Sequence, residues 1–348
     1  MRRLARRVAR RARQLQEDWR IQRSEWEIER ELERVVTRGR TLVAGPWLSE
    51  VGYEVLYWIP FLRWVQAAFR VDPARVVAVS RGGVSSWYEG IAGRYIEMFD
   101  EIEPAEYARR NAARGETKQL EPGGLDRDVL AAVTRRLGTD AVDVLHPSLM
   151  YRLFGLFWSG HRAMGFMDAR TRYARIRPPQ VIDPAALPRE YVAVKFYEAR
   201  SLPATPDIRL AVSALVAAIA AHTPVVLLDT GLVLDEHADY DLRGARVTSA
   251  RALMTPRTNL AVQTQIIAGA QAFVGTCGSL AWLAPMLGVD TSAMLVDTKW
   301  LHAHLPVAMR AYHRLGAGRF AVADLRAWDP VKGPAAGAPD RAARSSAS

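Results

Sequence analysis

Three short runs in the second half of the chain are almost wholly apolar: YVAVKFY from Tyr191, PVVLLDT from Pro224 and AQAFVGT from Ala270. Each is separated from the next by a stretch that holds a helix, with helical periodicity over 208–221 and 259–268. Runs without polar alternation are strands covered on both faces, and strands separated by helical crossovers lie parallel. A further strand, TSAMLVDT, and a helix over 306–315 continue the alternation. The pattern predicts an α/β protein built on a mostly parallel sheet.

The first half repeats it less regularly. TLVAGPW over 41–47 reads as a strand, and Val55, Ile59, Leu62 and Phe69 then share one helical face. ARVVAVS is a second strand that ends in Arg81-Gly82-Gly83, residues 126–137 form an amphipathic helix, and 142–145 form another strand. Between the halves, RIRPPQVIDPAALPRE holds four prolines in sixteen residues and reads as a linker. The predicted organisation is a basic helical extension (1–38), a Rossmann-like domain (39–176), a linker (177–190), a second Rossmann-like domain (191–329) facing the first across a cleft, and a tail (330–348) that is disordered by composition.

Length and composition exclude several classes. With 348 residues and ordinary apolar content the chain can bury real cores, and its lone cysteine, Cys277, leaves no intramolecular disulfide and favours a reducing, cytoplasmic setting. No secretory leader is read at the N-terminus. Residues 210–228 approach the length of a membrane span, but His222-Thr223-Pro224 divides them into a helix and a strand. The formal charge of +10 is concentrated at the ends: residues 1–40 carry 13 Arg against 7 acids. A body gripping nucleic acid along its length is therefore not expected.

Residues 1 to about 36 lack glycine after Met1 and lack proline, and Leu4, Val8, Ala12, Leu15 and Trp19 recur at steps of three and four, which predicts a helix. Its first thirteen residues hold seven arginines and no acid. Two readings stand: an in-plane amphipathic anchor, through residues 1–20, on an anionic membrane face, or a solvated helix packed on the body or on another subunit.

The strand exits are where an open α/β sheet binds ligand. FVGTCGSLAWLAPMLGV runs from strand through a glycine-bracketed turn into a helix; Gly275 and Gly278 permit close approach, Ser279 is placed to cap the helix, and the amides of Leu280 and Ala281 are placed to meet a diphosphate. Lys195 and Arg200 leave the first strand of that half as two cations, and Pro256-Arg257-Thr258-Asn259 opens a helix beside the glycine turn. In the first half, Glu50 precedes a helix start and is a candidate general base, with the alternative of a first-turn acid on the helix dipole; Glu54 lies a turn further on. Trp47, Tyr53, Tyr57 and Trp58 are candidates for stacking on a sugar, or for the core, and Arg81 for holding an anionic or hydroxyl-rich acceptor.

GPWLSEVGYEVLYWIPFLRW, SRGGVSSWYEGIAGRYIEMFD, YVAVKFYEARSLPATPD and TNLAVQTQIIAGAQAFVGTCGSLAWLAPMLGV resemble conserved blocks of a group of bacterial GT-B-type glycosyltransferases. The last is also similar to the donor-site turn of heptosyltransferases and fucosyltransferases. The resemblance implies a metal-independent transferase, its acceptor domain first and its nucleotide-sugar domain second, with the nucleotide sugar as co-substrate and no cofactor. It implies Glu50 as base and Lys195, Arg200, Asn259, Gly275, Thr276 and Gly278 around the donor. Where fucosyltransferases carry a His-x-Arg-Arg-Gly-Asp run, this chain has Lys195 to Arg200 as KFYEAR, so neither sugar nor nucleotide follows from that family. The acceptor expected is a saccharide or lipid-linked saccharide of the cell envelope or an exopolysaccharide.

Two other readings compete. Gly275-Thr276-Cys277-Gly278-Ser279 approximates a nucleophile elbow, with Asp297 and His302 later in the chain, as a cysteine hydrolase would need. A non-catalytic nucleotide-sugar-binding protein would share the fold without the chemistry. Asp235-Glu236-His237 with Asp239 and Asp241, and the pair His302 and His304, lack the spacing of a defined metal site, although Asp235 or His237 is placed to reach a donor's ribose or sugar.

Overall fold

The computed structural model describes residues 2–115, 118–232, 238–316 and 318–327, and side chains at residue 11 and from residue 16 onward within them. Among them, ten strands form two wholly parallel sheets. Helix α1 (Arg2–Val36) leads into β1 (Thr41–Ala44), followed by α2 (Val51–Tyr53), a π-helical turn (Glu54–Trp58) and α3 (Ile59–Phe69). Then come β2 (Val76–Ser80), β3 (Arg94–Glu97), α4 (Pro104–Arg114), α5 (Gly124–Leu137), β4 (Val142–Leu145), α6 (Pro147–Trp158) and α7 (Met164–Ala169). The second half holds β5 (Val192–Lys195), α8 (Pro206–His222), β6 (Val225–Leu227), β7 (Val247–Ser249), α9 (Asn259–Gly269), β8 (Ala272–Thr276), α10 (Leu280–Met286), β9 (Thr291–Leu295), α11 (His304–Leu315) and β10 (Phe320–Asp324).

The first sheet has the order β3-β2-β1-β4 and the second β10-β9-β8-β5-β6-β7. In both, the order reverses beside the first strand of its half, which is the switch point where a doubly wound sheet opens a crevice. In the second sheet that crevice lies between the exits of β5 and β8, which carry Lys195 and the glycine turn. Residues 210–228 are divided between α8 and β6, and no helix among the described residues is long and apolar enough to cross a membrane.

Strand side chains alternate between two apolar layers, as a period of two requires. Val43, Val77, Val79 and Ile96 pack with Val129 and Val133 of α5 on one face of the first sheet. Val194, Val225, Leu227 and Val274 pack with Val212 and Leu215 of α8 on one face of the second. The opposite faces, through Leu42, Ala44 and Ala78 in one half and Ala193, Val226 and Phe273 in the other, belong to one continuous buried body. That body includes Trp58, Phe61, Trp87, Ile266, Leu283 and Tyr312, so the two sheets share a core. A fully buried side chain of this size contributes about 1.5–3 kcal/mol.

Polar contacts reinforce the seam. The Ala261 amide, near the start of α9, donates to the Gly82 carbonyl at 2.9 Å, and the buried Trp87 indole donates to Thr264 Oγ1 at 3.0 Å. The proline-rich segment lies on the second half: the Gln265 side chain accepts from the amides of Val181 and Ile182 and donates to the Ile182 carbonyl. Several strands end earlier than their apolar runs: the first stops at Ala44 and the fifth at Lys195, where the chain turns toward the cleft.

Candidate functional site

The loop after β1 is held from two sides. Arg81, only 4% exposed, donates from its guanidinium to the carbonyls of Trp47 and Ser49. Gln119 bridges the same loop, accepting from the Leu48 amide at 2.8 Å and donating to the Pro46 carbonyl at 2.9 Å. Gln119 also donates to Asp126, whose carboxylate receives His146 Nε2 at 2.8 Å; those bonds hold the Asp126 carboxyl below its usual range despite burial. This network fills the crevice at the first sheet's switch point and leaves Glu50, at the end of the loop, half-buried on the cleft.

Beneath the loop, Glu54 is fully buried in the π-helical turn, where Ser80 and Tyr88 hydroxyls donate to one carboxyl oxygen at 2.5 and 2.6 Å. Its other oxygen has no partner, and desolvation pushes the carboxyl up to about 7 in spite of the nearby Arg81 charge. Glu54 is therefore enclosed, and Glu50 is the carboxylate of this segment that reaches the cleft. The turn Arg81-Gly82-Gly83 is set by Glu97, which accepts from the Gly82 and Gly83 amides at 3.1 and 2.8 Å.

The cleft, of about 730 Å³, is walled by Glu50, Tyr53 and Lys118 from the first half and by Arg200, Gly278 and Ser279 from the second. The structure thus brings Glu50, Tyr53, Arg200, Gly278 and Ser279 to one opening. Arg200 lies with its guanidinium 4.7 Å from the exposed Trp300 ring, and Lys118 stands over the rings of Tyr53 and Trp158. A smaller cavity beside it is lined by Arg81, Lys195, Asp239, Asn259 and Gln263, and Ser279 borders both. Lys195 is ion-paired with Asp239 at 2.6 Å and donates to the Leu228 carbonyl. Asn259, 7% exposed, leaves its side-chain oxygen without a hydrogen bond.

The glycine turn has its own logic. Gly278 sits at φ 133°, and a Cβ there would stand 2.9 Å from the Tyr197 hydroxyl oxygen. Ser279 follows at φ 40°, a conformation that costs a non-glycine residue on the order of 1–3 kcal/mol and marks functional turns. Gly275 is pressed against the Lys195 carbonyl across the β5–β8 pairing.

Several expectations are corrected. Trp47 has no exposed surface; it stacks with Trp58 and Tyr151 at 5.8 and 6.0 Å and belongs to the core, where it meets no sugar. Thr276 bridges two strand exits, its hydroxyl accepting from the Tyr197 amide and donating to the Tyr197 carbonyl at 3.0 Å each, so it fixes the turn from behind. The Ser279 side chain makes no cap bond, and the Ala281 amide is taken by the Gly278 carbonyl at 2.8 Å, which leaves it unavailable to a diphosphate. Arg81 contacts the loop's own carbonyls. Cys277 is 2% exposed, burial pushes its thiol up to about 12, and His302 faces the Lys299 carbonyl, so the cysteine hydrolase reading lacks both thiolate and base. Asp235 and His237 lie outside the described residues.

Two residues at the cleft are not assigned to it from the sequence, where His304 is weighed only with His302 as a metal pair. His304, at the start of α11, crosses to the first half, its Nε2 3.1 Å from the Tyr53 hydroxyl and its Nδ1 2.6 Å from that of Tyr57. Burial, with Lys118 nearby, lowers it to about 4, so the imidazole is neutral, one nitrogen donating and the other accepting. Lys118 lies in a stretch without periodicity. Among the described residues no three His, Cys, Asp or Glu side chains assemble as a metal-binding set.

The sequence matches no protein-family model and no curated protein. Solved structures similar to it include a glycosyl transferase family 9 protein from Veillonella parvula, 14% identical, covering 74% of this chain and 81% of that one with a TM-score of 0.39. The ADP-heptose lps heptosyltransferase II of E. coli is 16% identical, covering 74% and 84% with a TM-score of 0.43. A UDP-GlcNAc 2-epimerase from Methanocaldococcus jannaschii is 7% identical, covering 78% and 91% with a TM-score of 0.29. These likenesses carry nothing about chemistry; the α/β class rests on the two parallel sheets themselves.

Proposed function

We propose that the protein is a GT-B-like glycosyltransferase that moves a sugar from a nucleotide-sugar donor to a saccharide or lipid-linked acceptor of the cell envelope or an exopolysaccharide, without a metal. One observation carries the reading: a carboxylate of the first half, Glu50, and the strained Gly278-Ser279 corner of the second line the same cleft at the mouth of the β5–β8 crevice.

In this reading the donor diphosphate lies against the Gly278-Ser279 backbone. Arg200, exposed and able to grip two oxygens at once, neutralises the charge that grows on the leaving nucleotide. Lys195 contributes from the adjoining cavity, where Asp239 shares its charge, and Asn259 offers its unpartnered oxygen to a hydroxyl or amino group of the donor. The acceptor enters along Tyr53, whose ring gives a sugar face a surface to lie on, and its hydroxyl gives up a proton to Glu50.

A screen of UDP, GDP, ADP and CMP sugars by calorimetry identifies the donor, after which Glu50→Gln separates binding from chemistry. The expected result is donor affinity unchanged and turnover lower by about 10²–10⁴-fold, the usual worth of a general base. Unaltered turnover would remove Glu50 from that role, and silence toward every donor would remove the function.

A further inference from the structure

Helix α1 is tied down along its C-terminal part. Ile28, Leu32 and Val36 are buried against the first half, and Glu25, Glu29 and Glu31 pair with Arg162, Arg170 and Arg152 of the body. A second face of the same helix is bare. Trp19 is 60% and Trp26 55% exposed, seven residues apart and so one above the other, roughly 130° around the axis from the buried stripe at 100° per residue. Arg23 and Arg30 lie over the Trp19 and Trp26 rings at 5.7 and 4.5 Å, an amphipathic arrangement suited to a polar–apolar boundary.

Charge selects the occupant of this face. Residues 1–13 hold seven arginines and no acid. A second copy laid antiparallel would have only Glu17, Asp18 and Glu33 to set against them, too few for seven arginines, because Glu25, Glu29 and Glu31 are engaged with the body and Glu27 with Arg23. A parallel copy would set arginine against arginine. An anionic lipid surface supplies the missing charge to the arginines and an apolar bed to the tryptophans.

We infer that the free face of α1 lies in the plane of an anionic phospholipid bilayer, with Trp19 and Trp26 at the headgroup boundary. This holds whatever the cleft catalyses. It is tested on the full chain by co-sedimentation with vesicles of pure phosphatidylcholine and of phosphatidylcholine with 30% phosphatidylglycerol. The expected result is binding to the anionic vesicles at least tenfold tighter than to neutral ones, reduced at least tenfold by Trp19→Ser with Trp26→Ser and by replacing the seven arginines with glutamine. Both tryptophans are exposed, so the double variant keeps its fold, which circular dichroism checks. Equal binding by wild type and double variant, absence of binding to anionic vesicles, or a dimer in sedimentation equilibrium that the double variant dissolves would each overturn the inference.

Discussion

Gly52 and Ser279 touch across the seam between the two halves: a Cβ on Gly52 would stand 2.9 Å from the Ser279 nitrogen and 3.1 Å from the Trp282 ring. Only glycine lets α2 approach the turn this closely. Gly52→Ala forces one backbone away from the other and is expected to cost about 1–3 kcal/mol. A fall in melting temperature together with weaker donor binding is the expected pair of readouts; an unchanged melting temperature would mean that the contact yields freely.

Glu54 makes stability depend on pH with a definite sign. Its carboxyl titrates near 4.5 when unfolded and near 7 in the fold, so the native state holds the proton more tightly. Stability therefore rises as pH falls from about 7 toward 4.5, by up to about 3 kcal/mol, and this contribution is lost again above pH 7. Glu54→Gln keeps an acceptor for Ser80 and Tyr88 without the charge. It is expected to match wild type near pH 4.5 and exceed it at pH 8 in urea titrations; parallel profiles for the two proteins would sink the assignment.

His304 acts in the opposite sense. It is neutral in the fold down to about 4, whereas the unfolded chain takes up a proton near 6.5. Stability from this group is present above 6.5 and declines as pH falls toward 4, again by up to about 3 kcal/mol. His304→Gln is expected to remove that acid limb while costing about 1 kcal/mol at pH 8 for poorer bonds to Tyr53 and Tyr57. An acid limb that survives the substitution would assign it to other groups.

Cys277 sits in the turn but offers no thiolate. Cys277→Ala is expected to leave transferase turnover within about threefold of wild type, with a modest stability loss of about 1 kcal/mol for the buried sulfur. Complete loss of turnover in a variant that still binds donor would restore the nucleophile reading.

The second sheet was legible because strands buried on both faces must be apolar throughout, and the turn from Gly275 to Ser279 because glycines bracket a strand exit. Its edges were not. In β7 two of three residues are exposed, and β10 alternates half-buried with exposed positions, so neither shows a continuous apolar run. The strand β3 begins and ends on charged residues for the same reason. Glu50 and Arg200 could be placed from their position after strands, because topology alone decides where exits point. Trp47 could not: an aromatic in a turn reads the same whether it meets ligand or core, and only its stacking between Trp58 and Tyr151 decides. His304 escaped because its partners, Tyr53 and Tyr57, lie about 250 residues away, beyond any local pattern.

The apolar body that runs unbroken beneath both sheets has a mechanical meaning. Swinging the lobes apart like a jaw would bring Trp87, Leu283 and their neighbours into water, so any opening along the seam carries the cost of exposing that apolar surface. Under the proposed transfer, a saccharide is expected to be received between lining residues such as Trp300 and Lys118 without the two halves parting.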